Sequence, residues 1–173
     1  MSLSTHEPIE RVVERLIETH GQEVYKIAYF YMKEQQLAED VFQEVFYKVM
    51  KNYSKFQHQS SEKTWLIRIT INTCKDVLRT SWIKRVTTFG IWQDSESDAQ
   101  SPFDIEQQET NRELYELIQK LPSKYKEVIL LFYYKDLSYA DISEILEIPE
   151  GTIRSRLSRA REKLKKMINE RGV

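Results

Sequence analysis

The chain has 173 residues, 40% of them hydrophobic, with only four glycines and four prolines, which is enough apolar mass for one domain or two small ones and excludes a disordered tail. A single cysteine, Cys74, excludes a disulfide framework and a cysteine-based zinc site. The net charge of −1 offers no general attraction to nucleic acid, so charge has to be read segment by segment.

In chain order, Met1 to Pro8 lacks the basic-then-apolar order of a signal peptide. Val12, Val13, Leu16 and Ile17 recur at helical spacing, and Gly21 is expected to break that helix before a second one carrying Val24, Ile27, Ala28 and Tyr31. Leu37, Val41, Val45 and Val49 stand four apart on a third helix, with Phe42 and Phe46 widening the stripe. A polar loop from Asn52 to Lys63 follows. Trp65, Leu66, Ile69, Val77 and Leu78 then mark a fourth helix to about Trp82. Periodicity fades from Thr87 to about Gln108. There Asp94, Glu96, Asp98, Asp104, Glu106 and Glu109 accumulate around Gly90 and Pro102, as in an acidic linker. Helical spacing resumes at Leu114, Leu117, Ile118 and Leu121. Pro122 separates that helix from one carrying Tyr125, Val128, Ile129 and Phe132. Ser138, three residues before Asp141, forms a capping arrangement for a short helix through Leu146, and Pro149 marks the break before a last helix from about Glu150 toward Arg171. Strand-like alternation is absent from the sequence. The expected fold is all-α: a helical bundle over residues 1–86, a flexible acidic linker over 87–108, and a second small helical domain over 109–173. No run of about 18 apolar residues is present to span a membrane, and the expected location is cytoplasmic.

The informative segment is Ser138 to Lys166. A short helix with Ala140, Ile142 and Ile145, a tight turn at Glu147 to Pro149, and a helix opening on Gly151-Thr152-Ile153 have the layout of a helix-turn-helix. Ile142, Ile145, Ile148, Ile153 and Leu157 would pin the two helices together. The other face of the second helix offers Arg154, Ser155, Ser158 and Arg159, side chains suited to base edges and phosphates. From Glu150 to Arg171 there are eight basic residues (Arg154, Arg156, Arg159, Arg161, Lys163, Lys165, Lys166, Arg171) against three acidic ones (Glu150, Glu162, Glu170). The near-zero total thus hides a basic C-terminal end and an acidic middle. A solvated basic helix in an ordinary bundle explains the charge alone, but not the turn spacing together with the apolar pins.

Leu121-Pro122, Leu137-Ser138-Tyr139, Ile142, Leu146, the run Gly151-Thr152-Ile153-Arg154-Ser155-Arg156-Leu157, Arg159-Ala160-Arg161 and Leu164 together resemble the C-terminal domain of extracytoplasmic-function sigma factors, the small specificity subunits of bacterial RNA polymerase. Ala38-Glu39-Asp40-Val41-Phe42-Gln43-Glu44-Val45-Phe46 resembles the helix by which that family docks on the clamp helices of the largest polymerase subunit. Thr64 to Asn72, followed by Asp76 and Arg79, resembles the part that melts and reads the minus-10 element. The resemblance spans nearly the whole chain, in the right order.

The resemblance implies that Thr152, Arg154, Ser155, Ser158 and Arg159 read the minus-35 element. It implies that Glu39, Asp40, Gln43 and Glu44 meet core polymerase, where an acidic and amide face suits a basic partner. Arg68, Lys75 and Arg79 share one side of the fourth helix and can track phosphates, and Asn72 between them can donate to and accept from an exposed base edge. The loop from Phe56 to Glu62, with Gln57 and His58, would hold an unstacked base; its Gln57-His58-Gln59-Ser60-Ser61 sequence departs from the more usual glycine- and arginine-containing versions. Trp65 reads as a core anchor rather than a stacking platform. The implied partners are core RNA polymerase, promoter DNA and an anti-sigma factor, often membrane-bound, with no cofactor and no metal. A stand-alone helix-turn-helix regulator would explain the C-terminal end but leave the two N-terminal signatures unexplained. An enzyme is disfavoured: His6, His20 and His58 are scattered, and no nucleophile–base set, phosphate loop or ligand spacing accompanies them.

Overall fold

In the computed structural model, residues 7–89 and 109–171 are described, and every regular element among them is helical. The chain divides into two compact units, residues 1–102 and 103–173. The expected acidic linker falls almost wholly on residues 90–108, outside the described residues.

The N-terminal unit is a three-helix bundle of α1 (Ile9–Met32), α2 (Gln35–Asn52) and α3 (Glu62–Phe89). The expected break at Gly21 does not occur: α1 is one helix of 24 residues, and Gly21 is buried in its middle. Helices tolerate an interior glycine at a cost of roughly 1 kcal/mol when packing holds the flanking turns, and Leu16, Val24, Ile27 and Ala28 bury the turns on either side. Lys33 ends α1 in the left-handed region (φ 57°, ψ 16°), its N–H bonded to the Tyr29 carbonyl at 2.8 Å, and α2 begins two residues later.

Val41, Val45 and Val49 are fully buried and, with Ala38 and Phe46, face Val12, Leu16, Val24 and Ala28 of α1 and Leu66 and Cys74 of α3. Each aliphatic side chain buried this way contributes about 1.5–3 kcal/mol. Two buried hydroxyls of α3 bond to its own backbone: Thr70 donates to the Leu66 carbonyl and Thr73 to that of Ile69, each at 2.8 Å. The helix runs beyond the expected end near Trp82 to Phe89. Past Trp82 the apolar spacing fades, but no glycine or proline occurs before Gly90, so nothing in the backbone chemistry stops the helix.

The C-terminal unit holds α4 (Glu109–Gln119), α5 (Ser123–Ile129), α6 (Tyr139–Leu146) and α7 (Glu150–Arg171). Pro122 sits at the N-cap of α5, just outside the helix, where its missing N–H costs no helical hydrogen bond. The helix expected to carry Phe132 changes character on the way: Leu130–Tyr134 form a π-helical turn, closed by a 3.1 Å bond from the Lys135 N–H to the Leu130 carbonyl. Leu117, Ile118, Leu121, Val128, Leu130, Leu131, Ile142, Ile145, Ile153 and Leu157 make the core.

Candidate functional site

The helix-turn-helix is built as its sequence implies. Ser138 caps α6 through a reciprocal capping box: its Oγ accepts from the Asp141 N–H at 3.1 Å, and the Asp141 carboxylate accepts from the Ser138 N–H at 3.3 Å. Glu147 ends α6 in the left-handed region at φ 56°. The Ser143 hydroxyl donates to the Ile148 carbonyl at 2.7 Å, tying the turn to α6. Of the five expected pins, Ile142, Ile145, Ile153 and Leu157 are essentially fully buried and Ile148 is half-buried.

On α7 the buried stripe is Ile153, Leu157, Ala160 and Leu164. Thr152, Arg154, Ser155, Ser158 and Arg159 fall on the arc away from it; Thr152 is half-buried and the other four are exposed. The Ser155 hydroxyl donates to the Thr152 carbonyl at 2.9 Å. Arg154 makes a 3.8 Å ion pair with Glu150, and its guanidinium lies 4.9 Å from the centre of the Tyr139 ring. Tyr139 in turn stacks on Phe132, ring centres 5.2 Å apart and planes 9° from parallel.

In the N-terminal unit, Arg68, Asn72, Lys75 and Arg79 mark successive turns of one side of α3. Arg68 is half-buried and the other three are exposed. Arg79 pairs with Asp76 at 3.0 Å, and Asp76 also lies 3.8 Å from Lys48 of α2. Such exposed pairs are worth about 0–1 kcal/mol, so a phosphate can displace them. Lys48 adds a cation beside this face that the helical spacing of α3 alone could not reveal, and it donates to Thr73 at 3.1 Å.

The preceding loop starts with a 3-10 turn at Tyr53–Lys55. Gln57 and His58 are exposed; His58 adopts a left-handed φ of 53° with its ring 4.4 Å from that of Phe56. Phe56 rests 4.9 Å from Trp65, which also meets the edge of Tyr53 and packs on the bundle core, as expected of an anchor. The two ends of the loop are clamped by a network invisible in the sequence. Glu62 accepts two bonds from Arg15 of α1, at 2.7 and 2.9 Å, and a third from the Tyr53 hydroxyl. The hydrogen bond from Arg15 holds the Glu62 carboxyl at about 2, well below the ordinary carboxylate range. Ser61 caps α3 by accepting from the Thr64 N–H at 3.0 Å.

On α2, Glu39, Asp40, Gln43 and Glu44 occupy the arc opposite the buried valines; Glu39 is half-buried and the rest exposed. Gln35 donates to Glu39 at 2.9 Å and Gln36 to Asp40 at 3.4 Å, so the carboxylates are held in place one turn from their amide partners. An open groove of about 560 Å³ runs beside this arc, between Ile17, Gly21 and Tyr25 of α1 and Glu39, Phe42 and Gln43 of α2. Cys74 is fully buried in the same bundle, and burial pushes its thiol up to about 12. Among the described residues no cluster of His, Cys, Asp and Glu could hold a metal ion, and no helix is long and apolar enough to cross a membrane.

These features define an all-helical protein that presents a basic helix-turn-helix in one unit and, in another, a polar helix face beside an aromatic-floored loop. Known proteins place it further. Sigma-70 region 2 matches residues 16–83 and Sigma-70 region 4 matches residues 111–164. The chain is 31% identical over 164 residues to the ECF RNA polymerase sigma factor SigW of Bacillus subtilis, covering 90% of this chain and 88% of that protein. It is 32% identical over 163 residues to SigM of the same organism, covering 93% and 97%. In fold it resembles the sigma factor RpoE of Bartonella quintana, solved with the anti-sigma factor NepR, at a TM-score of 0.74 and 22% identity over 90% of this chain and 96% of that one. The chain belongs to the extracytoplasmic-function family of RNA polymerase sigma factors. It is a transcription initiation factor that directs polymerase to promoters.

Proposed function

We propose that the work is divided between the two units. Residues 1–86 bind core RNA polymerase through Glu39, Asp40, Gln43 and Glu44. They read and open the minus-10 element through Arg68, Asn72, Lys75, Arg79 and the loop bearing Gln57 and His58. Residues 109–173 read the minus-35 element through Thr152, Arg154, Ser155, Ser158 and Arg159, and the acidic segment 87–108 connects the two. The protein acts in the cytoplasm as an initiation factor, not an enzyme, and is held in check by an anti-sigma factor, often membrane-bound in this family.

The observation that carries this reading is the arc on α7: a threonine, two serines and two arginines on the side of the second helix that turns away from the core. That is the side a recognition helix turns to the major groove. On α3, Asn72 stands exposed between cations on one stripe, suited to an unpaired base flanked by phosphates.

The test is transcription by reconstituted holoenzyme from a library randomised in both elements. Arg159→Ala should cost about 1–3 kcal/mol of preference at one upstream base pair. Asn72→Ala should relax choice in the downstream element and slow opening, and the two effects should add. An Arg159→Ala effect confined to the downstream element, or an Asn72→Ala effect confined to the upstream one, would overturn the assignment.

A further inference from the structure

Among the exposed side chains of the α7 arc, Arg154 differs in being held from the side. Its guanidinium lies 4.9 Å from the centre of the Tyr139 ring, and Tyr139 stacks nearly parallel on Phe132. Three elements meet in this stack: the π-helical turn supplies Phe132, the first residue of α6 supplies Tyr139, and α7 supplies Arg154. Both aromatic side chains are half-buried, so the scaffold fixes them while Arg154 itself stays exposed.

The chemistry of the guanidinium makes the placement consequential. A guanidinium stacked on a ring spends its flat face on the contact and keeps its in-plane N–H groups directed outward. Those N–H groups are the ones that bind a guanine edge or a phosphate in bidentate fashion. An unsupported arginine would have to lose roughly 2 kcal/mol of rotamer freedom to adopt one such geometry. Glu150, one turn earlier, lies 3.8 Å from the Arg154 guanidinium. As an exposed pair it is weak enough to yield to DNA.

We propose that Tyr139, backed by Phe132, is a positioning residue that presets Arg154 for reading one upstream base pair. The inference rests on the reading of the α7 arc as the minus-35 surface. Tyr139 acts through Arg154, so it governs discrimination at the position Arg154 reads and not affinity in general. Its ring face, not its hydroxyl, does this.

The test uses holoenzyme reconstituted with Arg154→Ala, Tyr139→Leu, Tyr139→Met and Tyr139→Phe, and measures base preference at each upstream position. Arg154→Ala should abolish preference at one position. Tyr139→Phe should keep it. Tyr139→Leu and Tyr139→Met should each weaken preference at that same position by about two- to fivefold, the size of an exposed cation–π contact. Adding either to Arg154→Ala should cause no further loss there, because the two residues act as one unit. Circular dichroism melting identifies any variant that fails to fold, and the methionine variant serves if the leucine one does. An Arg154→Ala effect with no Tyr139→Leu or Tyr139→Met effect at that position overturns the positioning role. A Tyr139 effect spread evenly over all positions overturns it as well. Were Arg154→Ala itself without effect on any upstream preference, the fault would lie in the reading of the α7 arc, and the stack would have nothing to position.

Discussion

Gly21 is a position where replacement should improve the fold. It lies buried in the middle of α1, where a glycine has no conformational task. A Cβ added there would meet Ile17 Cγ2 at 3.5 Å and the Phe42 ring at 3.6 and 3.7 Å, all ordinary van der Waals distances. Gly21→Ala therefore gains the helix propensity of alanine, about 1 kcal/mol. Three new carbon contacts add a few tenths of a kcal/mol more, at about 0.1–0.2 kcal/mol each. For a domain of this size, a gain of about 1 kcal/mol raises the midpoint of thermal unfolding by roughly 4–8 °C. Tryptophan fluorescence isolates the transition, since Trp65 and Trp82 lie on α3 and residues 109–173 contain no tryptophan. A midpoint that stayed put or fell would refute the reasoning, because it would mean that α1 and α2 need to approach more closely at Gly21 than these distances allow for.

Glu62→Gln should destabilise the N-terminal unit by about 1–2 kcal/mol at pH 7 in urea unfolding, after discounting for the exposure of Arg15. Because the Glu62 carboxyl is held at about 2, below its ordinary 4.5, the pairing contributes fully above about pH 4.5 and is lost as the pH falls toward 2. The variant should accordingly lose stability less steeply on acidification than the parent, and parallel pH profiles would remove Glu62 from the account. Ser138→Ala deletes half of the capping box and should cost the C-terminal unit about 1 kcal/mol by circular dichroism melting, leaving the tryptophan transition where it was. Asp40→Ala with Gln43→Ala removes two exposed side chains. It should leave the fold intact and weaken core polymerase binding about tenfold or less, more so at low salt, and an unchanged titration would take this face out of the interface.

What the sequence disclosed and what it hid divide along the distance over which the determining contacts act. The helix-turn-helix was legible because all its determinants lie within Ser138 to Leu157: a cap with its partner three residues on, a short turn, and isoleucines at helical spacing. The arcs on α2, α3 and α7 were legible because helical periodicity places residues on a face without reference to anything else. Gly21 was misread because a glycine interrupts a helix only when packing does not hold the turns around it, and that packing comes from α2. The reach of α3 to Phe89 was underestimated because loss of an apolar stripe removes the signal of burial, not the capacity to be helical. The Arg15–Glu62–Tyr53 clamp joins residues as many as 47 positions apart and leaves no pattern in the sequence. The same holds for the stack of Phe132, Tyr139 and Arg154, which depends on a π-helical turn that periodicity could not foretell.

The buried cysteine gives the N-terminal unit an internal clock. Only the thiolate is reactive, and a thiol pushed up to about 12 inside a closed bundle supplies almost none at neutral pH. A disulfide reagent can then modify Cys74 only during excursions that open the bundle. With no second cysteine anywhere in the chain, the rate of modification reports on those openings alone. Followed at Cys74 itself by mass spectrometry, first on the free protein and then on the holoenzyme, each tenfold slowing corresponds to about 1.4 kcal/mol by which polymerase holds the bundle shut. Wild-type protein, carrying no label and no substitution, can thus report how firmly its partner grips it.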